Sequence, residues 1–213
     1  MATLPDQHAL WNEKHAKGEH AAHRAEEMPF ARRAAEFFPA TASVLEIGCG
    51  VGADAAFFST RGYEVLATDI SEVVIAQDKE IYAGLPVRFE QLDITSELRF
   101  EEASFDAIYS HLALHYYDHA TTRLVFEKLH HLLVRGGVLA FACKSVHDSR
   151  YGKGDEVEPD LFVAKGGHVR HFFSIEYVRQ LLGDDYDIAV LEEGEESYSD
   201  GVSGFVYCIA MKR

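Results

Sequence analysis

The feature that most constrains the fold is a glycine-rich turn between an apolar strand and a helix. Residues 44–52 read VLEIGCGVG, and the run YEVLATDI that follows closes a second apolar strand on the carboxylate of Asp69. A tight strand-to-helix turn requires positive φ and a close backbone approach, and a Cβ would obstruct both. The two oxygens of Asp69 suit the paired hydroxyls of a ribose. The pattern therefore predicts a nucleoside-cofactor site.

Glu46 distinguishes between two classes of nucleoside cofactor. Gly48, Gly50 and Ala53 also satisfy the G-x-G-x-x-G/A pattern of dinucleotide-binding proteins. A dinucleotide places its pyrophosphate against the turn, where a carboxylate two residues before the first glycine would repel it. S-adenosylmethionine has no phosphate there and brings an ammonium group and a sulfonium, both cationic. The sign of the charge favours the methyl donor.

A third short strand ends in another acidic residue. Residues 87–94 read VRFEQLDI, which places Asp93 beside the apolar Ile94. A carboxylate acceptor next to an apolar side chain suits the amino group and the ring of adenine. The alternative for both Asp69 and Asp93 is that they cap the helices or turns that follow them.

With these motifs in this order, residues 44–139 resemble the class I S-adenosylmethionine-dependent methyltransferases. The motifs are EIGCGVG, ATDI, QLDI, FDAIYS and VRGGVLAF. The resemblance implies that Asp69 contacts the ribose, that Asp93 contacts the adenine, and that the methionine part is surrounded by Glu46, Gly48, Gly50 and Gly52. We expect further cofactor contacts from Trp11, Cys49, Asp54, Ile70, Ile94 and His111. Within the family the chain is most similar to the tellurite-resistance type and related small-substrate members, whose chalcogen chemistry is not carried over.

The alternation of apolar runs and helical patterns predicts an α/β fold. Strands are expected at 43–47, 64–69, 87–92, 105–110 and 136–144, alternating with helices at 52–61, 71–83 and 118–134. Further helices are expected at 5–18, 29–38 and 174–182, and strands near 186–192 and 203–211. The resulting fold is a doubly wound, mostly parallel seven-stranded sheet with helices on both faces and an antiparallel last strand. We predict a helical cap over 1–40, a methyltransferase domain over 41–213 and a long loop over 145–171.

The segment SHLALHYYDH at 110–119 follows the fourth strand, where ligands bind in open parallel sheets. Methyl transfer is an in-line displacement, so a protein aligns the acceptor, excludes water and takes a proton from a neutral acceptor. We expect His115, with a pKa near 6.5, to be the general base, and Tyr116 to lie beside the sulfonium. The alternative is a hydrogen-bonded histidine with no role in proton transfer. His111 and His119 complete a four-residue spacing that would suit a metal on a helix, but the segment starts at a strand end and we assign no metal.

Basic and aromatic residues in and after this segment predict the acceptor pocket. We expect the acceptor to contact Tyr117, Arg150, Tyr151, Arg170 and His171. This local cationic excess would attract an anionic or oxyanionic acceptor. The alternative is an ordinary polar loop in which the last two of these residues anchor the next helix. Trp11 has two interpretations as well, either a cover over the cofactor or core packing.

The overall charge argues against a nucleic-acid partner. The chain has 20 Lys and Arg against 35 Asp and Glu, a formal net charge of −15 that repels phosphate backbones. No signal-peptide pattern and no membrane-spanning run is recognised, and three cysteines without paired spacing fit a reducing, cytoplasmic compartment. The predicted function is methyl transfer to a small molecule, with O, N, S or a metalloid oxyanion open as the acceptor atom and the oligomeric state open. The alternatives are a nicotinamide-dependent oxidoreductase and a non-catalytic S-adenosylmethionine-binding protein.

Overall fold

The computed structural model describes residues 4–198 and 201–213, and its centre is a seven-stranded sheet. In chain order its strands are β1 (Ser43–Ile47), β2 (Glu64–Asp69), β3 (Val87–Gln91), β4 (Phe105–His111), β5 (Leu133–Lys144), β9 (Tyr186–Tyr198) and β10 (Gly201–Lys212). Their order across the sheet is β3-β2-β1-β4-β5-β10-β9. The first five pair in parallel, whereas β10 is antiparallel to both β5 and β9. The predicted doubly wound sheet with an antiparallel last strand is confirmed.

Helices cover both faces of this sheet. They are α1 (Gln7–Ala16), a 3-10 helix (Ala21–Ala25), α2 (Pro29–Ala35), α3 (Ala53–Thr60), α4 (Glu72–Ile81), α5 (His119–Leu132) and α6 (Ile175–Leu182). Four of these helices have a side-chain N-cap, from Asp6, Ser71, Asp118 and Ser174 respectively. Such caps satisfy amide groups that would otherwise lack partners, so the helix starts are set locally by the sequence.

The sheet separates two apolar cores. On one face, Phe30 of α2 and Phe58 of α3 pack against Tyr109 of β4. On the other face, α5 and α6 bury side chains that include Leu129 and Val178. Because both faces are covered, strands β1 and β4 are buried along nearly their whole length, and only their carboxyl ends open into a cavity.

Residues 145–171 are not the predicted loop. They contain three short strands, β6 (Asp155–Glu158), β7 (Leu161–Val163) and β8 (Val169–His171), which form a separate antiparallel sheet. Strands of three or four residues are too short to show an alternating pattern, and the exposed β6 is mostly acidic, so the sequence resembled a polar loop.

The junction of α5 and β5 also differs from the predicted helix over 118–134 and strand over 136–144. Helix α5 ends at Leu132 and β5 already begins at Leu133, so Gly136 lies inside the strand rather than between the two elements. Gly136 instead has φ +77° within β5, near a shift in the β4–β5 register. A glycine that permits positive φ serves a strand irregularity as well as a helix end, which explains the error. Across the described ranges, no helix combines the length and apolar character needed to cross a bilayer.

Candidate functional site

A cavity of about 440 Å³ opens at the carboxyl ends of β1, β2 and β4. This is the edge of an open α/β sheet where ligands bind. Most of the residues predicted for the cofactor and the acceptor line it, namely Trp11, Glu46, Gly48, Cys49, Gly50, Asp54, Asp69, Ile70, Ile94, His111, His115, Tyr116, Tyr117, Arg150 and Arg170. The fold therefore brings the N-terminal segment, the glycine turn and the segment after β4 to one place.

Two residues predicted to contact the cofactor do not line this cavity. The Cα of Gly52 faces the core, where an added Cβ would lie 2.8 Å from a ring carbon of Tyr82. Asp93 turns one carboxylate oxygen back to its own chain, and Oδ1 accepts from the amide and hydroxyl of Thr95 over 2.8 and 2.7 Å. Gly52 thus serves packing and positive φ, and Asp93 caps a turn, which was the alternative interpretation for this residue.

Two residues predicted to contact the acceptor also lie elsewhere. Tyr151 is 40% exposed, and its hydroxyl donates to Asp160 over 2.6 Å. His171 is fully buried and packs its ring against His119 and Tyr177 at 4.2 and 4.8 Å between centroids. Its burial lowers its pKa to about 3, so the side chain is a neutral core group that supports the site rather than facing it.

The glycine turn holds its shape through close backbone contacts. The amides of Gly48 and Cys49 both donate to the carbonyl of Thr68, over 2.7 and 2.8 Å. Gly48 has φ +72°, and a Cβ there would lie 2.1 Å from the Cβ of Ala113. Position 48 therefore requires glycine on two counts, its backbone conformation and the space available.

The segment after β4 closes on this turn through an unusual backbone conformation. Leu112 has φ +59°, which is uncommon for a residue with a branched side chain. Its amide donates to the carbonyl of Ala142 over 2.9 Å, which fixes the bend. A backbone conformation of this kind costs free energy and persists only where the surrounding structure holds it. Such conformations concentrate at functional sites.

Glu46 is a buried carboxylate that lacks a complete set of partners. Its side chain lines the cavity, the residue is 2% exposed, and its Oε2 finds no hydrogen-bond partner within the described part of the chain. Burial raises the pKa of Glu46 well above its usual value, and the neighbouring acids Asp54, Asp78 and Asp69 raise it further. A cationic group with N–H donors placed beside Glu46 would donate a hydrogen bond to Oε2 and would stabilise the ionised form of the carboxyl group.

Two further carboxylates at this end have protein donors. Asp54 accepts from the amide of Met28 and from the hydroxyl of Tyr109, each over 2.7 Å, and burial raises its pKa to about 6. Asp69 accepts from the amides of Gly50 and Ser71 over 3.0 and 2.9 Å, while burial raises its pKa. Asp69 therefore stabilises the turns on either side of it, and each of its oxygens retains acceptor capacity.

His115 and Tyr116 form an aromatic pair in the cavity. Their ring centroids are 4.3 Å apart, and His115 is 1% exposed, with no partner for Nδ1 from any residue the structure describes. Burial lowers the pKa of His115 well below its usual value, and the charges of Lys144 and Arg170 lower it further. The expectation of a pKa near 6.5 is wrong, because the sequence did not show how deeply this histidine is buried. Burial raises the pKa of Tyr116 to about 12.

Trp11 of α1 lies against the aromatic lining of the cavity. Its ring is 5.2 Å from Tyr116 and 5.5 Å from His168, both edge to face, and 5.8 and 5.7 Å from His15 and His20. Burial lowers the pKa of His15 and of His168 to about 4, so these imidazoles are neutral near pH 7. Trp11 therefore packs against aromatic rings and lines the cavity, and its role as a cover over the cofactor stays a prediction.

Sequence reasoning missed the histidines that precede β1. His15, His20 and His23 all line the cavity. Their repetition within nine residues was a visible signal. Their position was not visible, because it depends on contacts that fix α1 on α4, such as the hydrogen bond of 2.7 Å that the Ser71 hydroxyl donates to Asn12.

The spacing of His111, His115 and His119 does not produce a metal site. His111 ends β4, and His119 begins α5, where its ring nitrogens are within 3.2 Å of the Tyr177 hydroxyl and 2.8 Å of the Pro159 carbonyl. Among the residues that the structure describes, no group of three or more His, Cys, Asp or Glu side chains is arranged to hold a metal ion.

Comparison with known proteins finds a family that matches the segment containing the glycine turn. The methyltransferase domain family matches residues 44–137. An uncharacterized methyltransferase of Mycobacterium tuberculosis is 39% identical over 101 residues, which are 47% of this chain and 49% of that protein. Residues 44–137 are therefore similar to a methyltransferase domain. The matched segment spans about half the length of these curated relatives.

The similarity to solved structures covers more of the chain than residues 44–137. The 1,6-didemethyltoxoflavin-N1-methyltransferase of Burkholderia thailandensis, solved with S-adenosylhomocysteine, has a TM-score of 0.74 at 20% identity over 100% of this chain and 92% of its own. TehB from Haemophilus influenzae has a TM-score of 0.68 at 18% identity over 88% of this chain and 63% of its own. At these identities the likeness shows the fold alone.

The cavity presents residues that fit S-adenosylmethionine. Glu46 offers a buried carboxylate whose Oε2 lacks a partner among the described residues, next to a glycine turn, and the cofactor has an ammonium group and a sulfonium. Asp69 offers carboxylate oxygens at the end of β2, where they would accept from ribose hydroxyls. Ile70 and Ile94 add apolar surface to the same wall.

Proposed function

We propose that the protein transfers the methyl group of S-adenosylmethionine to a small-molecule acceptor by in-line displacement. The observation that carries this proposal is Glu46, a buried carboxyl group beside the glycine turn whose Oε2 has no partner among the described residues. A cation beside Glu46 would stabilise its ionised form, whereas a pyrophosphate would oppose that ionisation. When bound, the cofactor supplies a methyl group activated by its attachment to sulfonium. The chain's residues supply binding, orientation and the exclusion of water.

In this proposal the acidic end of the cavity holds the cofactor. Glu46 accepts from the ammonium group, and Asp69 accepts from the ribose hydroxyls. Gly48 and Gly50 allow the ligand to approach the backbone closely, and Gly50 has open space where a Cβ would project. Cys49, Asp54, Ile70, Ile94, His111 and Trp11 also line this part of the cavity and are proposed contacts.

Residues at the other end align the acceptor. Tyr116 and His115 form the wall next to Lys144, Arg150 and Arg170. Because the pKa of His115 is lowered well below its usual value, we propose that it orients the acceptor as a neutral ring rather than taking a proton at neutral pH. Tyr117 contributes apolar surface to the same cavity, and Trp11 limits the access of water.

The two alternatives lead to different binding behaviour. A nicotinamide-dependent oxidoreductase would have to place a diphosphate beside Glu46, which the acidic lining disfavours. A non-catalytic binding protein would hold the cofactor but would produce no S-adenosylhomocysteine. Tyr116, Arg150 and Arg170 line the same cavity beyond the proposed cofactor contacts, and this additional lining supports a site for an acceptor and therefore an enzyme.

Two measurements test the proposal. Calorimetry compares S-adenosylmethionine and S-adenosylhomocysteine with NAD and NADP on the wild type and on Glu46→Gln, with Glu90→Gln on the exposed side of β3 as the matched control. We expect binding of the two sulfur compounds alone, weakened in Glu46→Gln and unchanged in Glu90→Gln. Incubation with methyl-labelled cofactor and a metabolite extract then tests transfer. Binding of NAD in place of S-adenosylmethionine would contradict the proposal.

We further propose that residues 1–40 act as a helical cap on the methyltransferase domain of residues 41–213. The hydrogen bond of 2.9 Å from the side chain of Gln7 to the Gly167 carbonyl supports this division, since it ties the cap to the acceptor side. The acidic net charge of −15 supports an acceptor other than nucleic acid. Three buried free thiols support a reducing, cytoplasmic location.

A further inference from the structure

Charges of opposite sign reach the cavity from strands on either side of β4. Its acidic lining residues, Glu26, Glu46, Asp54 and Asp69, come from the chain up to the end of β2. Its basic lining residues beyond the N-terminal segment are Lys144 at the end of β5, Arg150 in the connection to β6, and Arg170 in β8. The acidic residues favour a cation, and the basic residues favour an anion.

The electrostatic effect of the basic residues reaches the two rings at the centre of the cavity. Lys144 and Arg170 both disfavour the charged form of His115 and so lower its pKa. Arg170 and Arg150 act on Tyr116 in the opposite sense to burial, because they favour its phenolate and so pull its pKa down. Asp69 acts on Tyr116 in the other sense, so the positive contribution at this wall comes from the basic residues, and they stabilise a ligand atom that carries negative charge.

The three basic side chains differ in how far they are available to a ligand. Lys144 is 8% exposed, and its Nζ donates to Asp148 over 2.9 Å while packing over the ring of Phe205. Lys144 thus has a built-in counter-ion. A guanidinium group has five N–H donors in a planar fork, so Arg150 and Arg170 can satisfy a protein partner and still donate to a ligand.

We propose that the acceptor is a small organic anion, whose charge is held by Arg150 and Arg170 and which attacks the methyl group in its ionised form. This inference rests on the proposed function. Carboxylates, and phenols or enols acidic enough to be ionised at pH 7, have the chemistry required, since their oxygens match the donor fork of an arginine. Among the acceptor atoms that the sequence left open, the inference selects a negatively charged oxygen of an organic molecule.

Methyl transfer to an ionised oxygen does not require a base. An electron pair on the anionic oxygen forms the new bond to the methyl carbon, the bond from that carbon to sulfur breaks, and its electron pair returns to sulfur. The products are a methyl ester or ether and the neutral thioether, and no proton moves. This agrees with His115, which is buried and neutral, and which would be a poor acceptor for a proton from an un-ionised alcohol or amine.

The test divides a metabolite extract by charge. The extract is separated at pH 7 on anion- and cation-exchange resins into anionic, cationic and neutral fractions, and each is incubated with the protein and methyl-labelled S-adenosylmethionine. We expect label to transfer from the anionic fraction, to a product that has lost one negative charge. Transfer from the neutral or cationic fraction alone would overturn the inference. No transfer from any fraction by protein that binds the cofactor would overturn the proposed function instead.

Variants then test the role of the two arginines with the acceptor so identified. We expect Arg170→Gln and Arg150→Gln to lower kcat/KM by at least about tenfold, the loss of one charged hydrogen bond. Arg170→Lys keeps the charge and should retain more activity than Arg170→Gln. Lys165→Gln, on an exposed residue of the same segment, is the matched control and should behave as wild type.

Affinity for S-adenosylhomocysteine, measured by calorimetry, separates a specific effect from misfolding. It should remain within about threefold of wild type in every variant, because the arginines lie at the other end of the cavity. Unchanged kcat/KM in both glutamine variants would overturn the assignment of the arginines. A loss of affinity that matches the loss of kcat/KM would also overturn it, since the effect would then be structural.

Discussion

The hydroxyl of Tyr109 donates a hydrogen bond of 2.7 Å to Oδ2 of Asp54, joining the middle of β4 to the first turn of α3. Tyr109 is fully buried and Asp54 is 6% exposed. The amide of Met28 completes the partners of this carboxylate. One buried acid thus connects the sheet, the helix after the glycine turn and the start of α2, and it also lines the cavity.

Removal of the Tyr109 hydroxyl should destabilise the fold. In Tyr109→Phe, Oδ2 of Asp54 loses its donor while remaining buried, which costs about 1–3 kcal/mol. Tyr63→Phe is the matched control, because its hydroxyl donates to the Ala35 carbonyl in a less buried position. Urea denaturation measures both variants. An equal or smaller loss in Tyr109→Phe than in Tyr63→Phe would contradict the importance given to this contact.

Gly48→Ala should be more harmful than an alanine at another glycine with positive φ. Gly62 has φ +89°, and a Cβ there would meet no described atom within 4 Å, so Gly62→Ala reports conformational strain alone, about 1–2 kcal/mol. Gly48→Ala adds a contact at 2.1 Å with the Cβ of Ala113, for a further cost of about 1–3 kcal/mol.

A double variant separates the two contributions at Gly48. In Gly48→Ala with Ala113→Gly the steric overlap is removed and the positive φ remains, so the stability should return to about that of Gly62→Ala. Denaturation and S-adenosylhomocysteine affinity are measured together. If Ala113→Gly gives no recovery, the two residues do not meet in the way the structure shows.

Binding of S-adenosylmethionine should release a proton from Glu46. The pKa of Glu46 is raised well above its usual value, and an ammonium group beside the carboxylate would lower it. At a pH below the pKa in the free protein, the complex therefore holds fewer protons, and the affinity rises as pH increases toward that pKa.

Calorimetry in buffers with different ionisation enthalpies measures this release. The heat of binding should vary between phosphate and Tris in the wild type and in Glu90→Gln. It should not vary in Glu46→Gln, provided that binding remains measurable. Equal heats in both buffers for the wild type would show that Glu46 does not change its protonation.

The pH profile of methyl transfer should lack an inflection from His115 near pH 6.5. Burial and the nearby cations lower its pKa well below that value, so the imidazole is neutral near pH 6.5 and above. His115→Ala should lower turnover by less than about hundredfold, the lower end of the range for loss of a general base, and should leave cofactor affinity intact. An inflection near 6.5 that disappears in His115→Ala would restore this residue as the base.

The parts of the site that are local in sequence could be predicted, and the parts that depend on tertiary packing could not. Gly48 and Asp69 follow directly from a turn and a strand end, whose geometry their neighbours define. Gly52 belongs to the same motif, yet its Cα faces Tyr82 in the core. His15 lines the cavity only because α1 packs on α4, and no pattern along the chain contains that contact.

The pKa values of the site residues could not be predicted from the sequence either. The type of residue at position 115 indicated an ordinary imidazole, whereas complete burial and two nearby cations define its behaviour. The small sheet was missed for a related reason, because β7 and β8 have three residues each. Such strands are stabilised by their neighbours rather than by their own pattern.

The small sheet and the large sheet carry different parts of the proposed site. Arg170 belongs to β8, which meets the segment after β4 through the bond of 2.9 Å from the His171 amide to the His115 carbonyl. The glycine turn and Asp69 belong to the large sheet. Under the proposed function, mutations in β6–β8 would diversify the compounds that a descendant of this protein modifies, while the residues proposed to hold the cofactor would be inherited unaltered.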